Sequence, residues 1–291
     1  MTPELLTAIL VGAVIAAVTV LHRLAWFVVT LLVRSTRRLS PAFTQLRGWV
    51  REAPLTGRLA ARHPRLFNLI RSRLTPHSFT GLPLTLMVAA ALYLVALLGG
   101  LVEAVLMNDG IETVDNGINA FFGPYRPRPL LLAFVWLTGL GAGPAVAAVA
   151  MVVTGFLWAD RRLSTVFALW VTLLGAETTS WAGKYLVGRA RPEFLDVASA
   201  ISPSFPSGHA TASMAVYGFL AYVIARRLPH LRERFEVAFW AAMLILSIGF
   251  SRVFLGVHYA SDVLSGFLVG AFWLLVGFAI AESVTIGKRT S

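Results

Sequence analysis

The chain has 291 residues, of which 57% are hydrophobic and only 13% charged, and its mean hydropathy is +0.74. A water-soluble globule must cover its outside with polar groups, so this composition excludes a soluble enzyme and requires an integral membrane protein. The 25 basic residues outnumber the 14 acidic ones, yet the Arg residues lie between apolar runs, as the positive-inside bias predicts, and not among aromatics on one polar surface, so nucleic acid is not the expected partner.

Apolar stretches long enough to cross a bilayer, roughly 20 residues each, occur at Leu5–Leu21, Leu84–Met107, Leu130–Trp158, Leu163–Ala182, His209–Ala225, Phe235–Phe250 and Val263–Ala281. None alternates every second residue as a barrel strand would. The expected fold class is therefore all-α, a polytopic membrane helix bundle. The first stretch follows Met1-Thr-Pro-Glu4 with no basic leader, so an anchor is expected over 1–33 and not a removed signal peptide. The third carries Gly139, Gly141, Gly143 and Pro144, which predicts tilt, a kink or close packing. With no cysteine, disulfides and thiolate metal sites are excluded.

Between the first two stretches, residues 34–83 hold ten Arg and form a basic linker, cytoplasmic or interfacial. Helical periodicity would put Leu66, Ile70 and Leu74 on one face, and Arg attraction to anionic headgroups would lay this segment along the inner leaflet. A basic linker with no defined contact is the plainer alternative. Alternating the seven stretches puts 18 of the 25 basic residues on one side, in 34–83, 159–162, 226–234 and the tail 283–291. That side is then cytoplasmic, with the N-terminus outside and the C-terminus inside. The expected location is the inner (cytoplasmic) membrane.

Four of the outer cations fall in compact groups at the ends of these stretches. Lys184-Tyr-Leu-Val-Gly-Arg-Ala-Arg191-Pro192 closes the fourth, and Pro206-Ser207-Gly208-His209 opens the fifth, where first-turn N–H groups make an anion site. Ser251-Arg252 is followed by His258 and, four residues on, by Asp262. Three cations, a hydroxyl and free N–H groups can neutralise a phosphoryl group, the main task when its transition state is loose. If the turn is helical, Asp262 can orient His258 as nucleophile, leaving His209 as general acid and then base.

Taken together, Lys184 to Pro192, Pro206 to His209 and Ser251 to Asp262 resemble the three-part signature of the type 2 phosphatidic acid phosphatase family. The resemblance implies a six-helix phosphatase core over 84–282, preceded by one extra transmembrane helix. It further implies a metal-independent phosphatase, without cofactor, that acts on lipid phosphates or diphosphates. Lys184, Arg191, Ser207, Gly208, His209 and Arg252 would surround the phosphate, with His258 as nucleophile oriented by Asp262. Soluble vanadium haloperoxidases share such a site, but the membrane stretches argue against that relative. An outward-facing site suggests undecaprenyl diphosphate first, with phosphatidic acid and phosphatidylglycerol phosphate as alternatives. The competing class is a transporter or flippase that binds anionic headgroups without cleaving them.

Each piece has a duller reading alone: snorkelling cations, a helix-capping Ser207, a surface His–Asp bridge. Glu177, inside the fourth stretch, is read as a hydrogen bond between helices or as a group beneath the site. Arg189 is read at most as a headgroup contact. His22, His63, His77 and His230 fall near the cytoplasmic side. Asp109, Glu112, Asp115, Phe121, Phe122 and Tyr125 belong to an outer loop, 108–129, that lines the entrance or forms part of an aromatic belt.

Overall fold

The computed structural model describes residues 3–52, 61–75, 79–192 and 202–290. These form helices α1 (Pro3–Glu52), α2 (Pro64–Arg73), α3 (Leu82–Met107), α4 (Ile111–Phe122), α5 (Arg128–Gly139), α6 (Gly143–Ala159), α7 (Leu163–Val187), α8 (Gly208–Ala225), α9 (Leu231–Phe254) and α10 (Ala260–Thr290), with a 3₁₀ turn at Gly123–Tyr125 and no strand among the described residues. The chain divides into two compact units, residues 1–72 and 73–291. Among the described residues six segments are long and apolar enough to span a membrane, which makes this a multi-pass membrane protein.

In the first unit, α1 does not stop near residue 33 but runs for 50 residues through the start of the basic segment. Its described apolar part covers Gly12–Thr36, and none of that is buried. The expected amphipathic stretch becomes helical over Pro64–Arg73. Leu66 is exposed there, while the side chain of Ile70 lies outside the described residues, as does His77.

The second unit is built around α8, which packs against α6, α7, α9 and α10. Its inward residues Ala212, Ala215 and Val216 meet Val146 and Ala150 of α6, Leu173 and Ala176 of α7 and Ile245 and Ile248 of α9. Small residues let α10 come close: a Cβ at Gly266 would lie 2.6 Å from the Ser207 carbonyl oxygen, and one at Gly270 2.6 Å from the Met214 Cβ. The third apolar stretch is broken at Leu140–Ala142, as its glycines and Pro144 foretold. Gly141 has no room for a side chain, since a Cβ would meet Ile248 at 2.6 Å, and the Tyr217 hydroxyl donates to the Leu140 carbonyl at 2.7 Å.

α7 fills the fourth stretch as a helix of 25 residues, more polar than the six segments because Thr, Ser, Glu177 and Lys184 stand among its apolar residues. One expectation needs correction. Residues 108–129 are no open loop: Ile111, Val114, Ile118 and Phe122 recur at helical spacing and form one face of α4. Phe122 packs edge-on against Phe250 and Phe254, leaving Phe121 and Tyr125 exposed.

Candidate active site

One end of the second unit gathers the C-terminal ends of α7 and α9 and the N-terminal ends of α8 and α10. Helix α7 terminates at Gly188, whose φ of 63° suits glycine and whose N–H donates to the Lys184 carbonyl. This puts Lys184 in the last turn and swings Arg189 and Arg191 across the bundle end. Helix α9 closes through Gly256, again left-handed at φ 69°, while the N–H groups of Val257 and His258 donate to the Arg252 carbonyl. His258 is thereby folded back beside Arg252.

The sequence-predicted residues come together here. Lys184 Nζ donates to the Pro203 carbonyl at 2.8 Å. Arg191 donates from Nε to the Ser202 carbonyl and from Nη1 to the Val257 carbonyl, both at 2.8 Å, and Nη1 also lies 3.2 Å from His258 Nε2. Arg252, 6% exposed, donates to the Thr138 hydroxyl at 3.0 Å, and its Nε has no protein partner. The charges of Arg252, Arg191 and Lys184 all act on the His209 ring, as does His258. The three cations are held by carbonyls and hydroxyls, and among the described residues none has a hydrogen-bonded carboxylate.

Ser207 occupies the N-cap position of α8, but its hydroxyl makes no capping bond and has no partner, although the residue is fully buried. The capping reading of this serine is therefore not realised. Its backbone N–H donates to the Asp262 carbonyl at 2.9 Å, tying the start of α8 to the first turn of α10. An orphaned buried hydroxyl beside the open N–H groups of Gly208 and His209 is a place for an anion.

The His258–Asp262 pair forms, with Nδ1 3.4 Å from Oδ2. Asp262 is the third residue of α10, and the same oxygen accepts the Tyr259 N–H at 2.9 Å, half of a capping box. With Nδ1 toward a carboxylate and Nε2 toward a guanidinium that can only donate, the ring is the Nδ1–H tautomer with its lone pair on Nε2. Burial pushes the His258 imidazole down to about 4, against the pull of Asp262, so the ring is neutral at pH 7.

Several residues of this end escape a reading by motif. Arg189 is no headgroup contact: its side chain is 11% exposed and bridges Asp262 Oδ1 at 2.8 Å and Asp115 Oδ2 at 2.9 Å. Burial disfavours its charge, but Asp262 and Asp115 outweigh that and raise its pKa. Asp115 is 1% exposed and also accepts from the Ser261 N–H and hydroxyl. The one signal available was Asp115 and Asn119 falling one turn apart on the apolar face of α4. By contrast, Glu177 stays apart, half-buried in α7 and without a hydrogen bond or ion pair, acting on Lys184 only through space. His63 and His230 are exposed and distant from these elements in sequence. Among the described residues no three or more His, Asp or Glu gather as a metal ligand set.

Residues 165–285 match the family model described as PAP2 superfamily. Phosphatidylglycerophosphatase B of Bacillus subtilis is 26% identical over 181 residues, 61% of this chain and 89% of that protein. Lipid A 1-phosphatase of Rhizobium johnstonii is 31% identical over 141 residues, 42% of this chain and 54% of that protein. A solved transmembrane PAP2-type phosphatidylglycerolphosphate phosphatase from Bacillus subtilis superposes with a TM-score of 0.62 at 25% identity, covering 67% of this chain and 96% of that one. Such relatives point to a membrane lipid phosphatase.

Proposed function

We propose, from the match of residues 165–285 to the PAP2 superfamily model and from the site geometry, that this chain is a PAP2-type phosphatase that hydrolyses a lipid phosphate or diphosphate through a phosphohistidine on His258. The observation that carries this reading is the placement of the His258 ring, backed at Nδ1 by Asp262 and facing Arg191 at Nε2. Lys184, Arg191, Arg252, the Ser207 hydroxyl and the N–H groups of Gly208 and His209 take the phosphate oxygens. Arg191 passes its N–H from Nε2 to the phosphate, which frees the lone pair. Nε2 then forms a bond to phosphorus as the bond to the lipid oxygen breaks, and His209 protonates that oxygen. In the second half, His209 takes a proton from water, the oxygen attacks phosphorus, the N–P bond breaks and inorganic phosphate leaves.

Phosphatidylglycerol phosphate and undecaprenyl diphosphate stand first among substrates. The first is named in the Bacillus relative that matches over 89% of its length. The second fits a site facing outward, the orientation that the distribution of basic residues favours. The same charge excess supports contact of residues 34–83 with anionic lipids. Domain roles follow the sequence reading: an N-terminal anchor, a basic linker, a phosphatase core over 84–282 and a cytoplasmic tail.

Phosphate release from a panel of lipid phosphates by the purified protein tests the proposal, with His258→Ala as the control. Wild type should turn over and His258→Ala should not, on any substrate. Rapid quench with labelled diphosphate should trap an acid-labile, base-stable phosphoenzyme in His209→Ala and none in His258→Ala. Label on His209, or a phosphoenzyme in His258→Ala, reverses the two roles. Binding of lipid phosphate without release in wild type favours the transporter reading.

A further inference from the structure

The phosphate cradle leaves unexplained why a second arginine, two residues before Arg191, is buried against two carboxylates from different helices. Arg189 Nη1 donates to Asp262 Oδ1 at 2.8 Å and to the Ser261 hydroxyl at 2.7 Å, and Nη2 donates to Asp115 Oδ2 at 2.9 Å. The Tyr259 ring covers one face of the guanidinium, 4.1 Å from Cζ to the ring centre. Asp115 is itself fixed, since its other oxygen accepts the Ser261 N–H at 3.1 Å. The fork is thus held at both tips and on its flat face.

We propose that Arg189, clamped by Asp115 of α4, is a positioning residue that holds one oxygen of Asp262 so that the other stays committed to His258; the assignment rests on the phosphatase reading for its consequence in turnover. Geometry gives the reason. The His258–Asp262 contact is 3.4 Å, too long to orient a carboxylate unaided. The shorter bonds do that: Tyr259 N–H on Oδ2 at 2.9 Å and Arg189 on Oδ1 at 2.8 Å. Without Arg189 the carboxylate keeps the Tyr259 N–H on Oδ2, and so its charge beside the ring, but loses the second anchor that sets its angle to Nδ1.

Charge gives a second consequence. Asp115, Arg189, Asp262 and His258 form a line of alternating sign that ends on the imidazole. The other charges acting on His258 are Arg191 and Arg252, and His209 shares its surroundings. Asp262 draws a proton to His258, and Arg189 offsets part of that pull. Asp115 in turn offsets part of Arg189. Removing Arg189 and removing the Asp115 charge therefore move the proton affinity of His258 in opposite directions, which a purely structural staple between α4 and α10 would not do.

The test is histidine-selective nitrogen NMR of the full chain in micelles, with the His258 signal assigned by its loss in His258→Gln, run beside phosphate release. In Arg189→Met the His258 midpoint should rise by about one pH unit, and kcat should fall by about 10- to 100-fold with KM changing by less than about threefold. Arg189→Lys should return the midpoint but only part of the rate. Asp115→Asn, isosteric and still able to accept the Ser261 N–H, should lower the midpoint by less than Arg189→Met raises it. An unmoved midpoint in both Arg189→Met and Asp115→Asn overturns the proposal. So does a loss confined to KM, which would make Arg189 a substrate contact through the cavity of about 290 Å³ that it lines with Asn108, Glu112 and Tyr259. Opposite shifts in a wild-type background that releases no phosphate would uphold this assignment and sink the phosphatase reading alone.

Discussion

Gly266→Ala adds one methyl group where α10 crosses the first turn of α8, and the effect on catalysis can be worked from the contacts. The new Cβ would lie 2.6 Å from the Ser207 carbonyl oxygen, 2.9 Å from the Ala210 Cβ and 3.2 Å from the Thr211 backbone nitrogen. None of these is the flexible end of a side chain, so the helices themselves must part. Restoring ordinary contact at about 3.5 Å needs a displacement of about 0.9 Å. The turn that moves carries the Ser207 hydroxyl, the free N–H groups and His209, and it also loses the 2.9 Å bond from Ser207 N–H to the Asp262 carbonyl. A misplacement of about 1 Å costs about 100-fold in rate, and overpacking costs about 1–3 kcal/mol of stability. We expect kcat for phosphate release to fall by about 30- to 100-fold, with a lower Tm in fluorescence-detected gel filtration. Gly99→Ala is the matched control, because a Cβ there meets nothing within 4 Å. Wild-type kcat and Tm in Gly266→Ala would show that the α8–α10 crossing does not set the position of the cradle.

Further expectations follow from the charges and the topology. Excess EDTA should leave phosphate release intact and orthovanadate should inhibit it, because in the proposed mechanism Lys184, Arg191 and Arg252 take the part of a metal; activity lost to EDTA and restored by magnesium would refute the assignment of the cations. The folded state holds the His258 pKa at about 4, below the ordinary 6.5, so the unfolded chain binds more protons between those values. Stability should therefore fall as pH drops through that window, and Tm measured against pH should show a shallower fall in His258→Gln. The absence of cysteine allows single-thiol mapping: in intact cells Asp109→Cys should react with an impermeant reagent and Arg51→Cys should not, and the reverse pattern would put the site inside.

The hydropathy of the chain made most of the bundle legible, because every lipid-facing helix must be apolar along its length. The signal is weakest in α7, where Thr, Ser, Glu177 and Lys184 stand among the apolar residues of a helix that still presents Phe167, Leu174 and Trp181 outward. The cradle was legible since its residue types recur at fixed spacing beside helix ends. Arg189 and Asp115 were not, because Asp115 stands 74 positions before Arg189 and nothing local marks a carboxylate in a short amphipathic helix as buried. The hydroxyl of Ser207 shows the converse: its position suggested a cap, and only the geometry shows the oxygen unspent.

Lys184, Arg191 and Arg252 are tethered by carbonyl and hydroxyl oxygens while Asp115 and Asp262 are engaged by Arg189, so among the described residues no carboxylate is hydrogen-bonded to any of the three cations. An enzyme built this way competes against itself. On the proposed function, the same positive charge that draws a lipid headgroup out of the interface would also retain the inorganic phosphate left after hydrolysis. Expulsion then depends on the next headgroup or on anions from the surrounding solution, so turnover at such a site is coupled to ionic composition as well as to substrate supply.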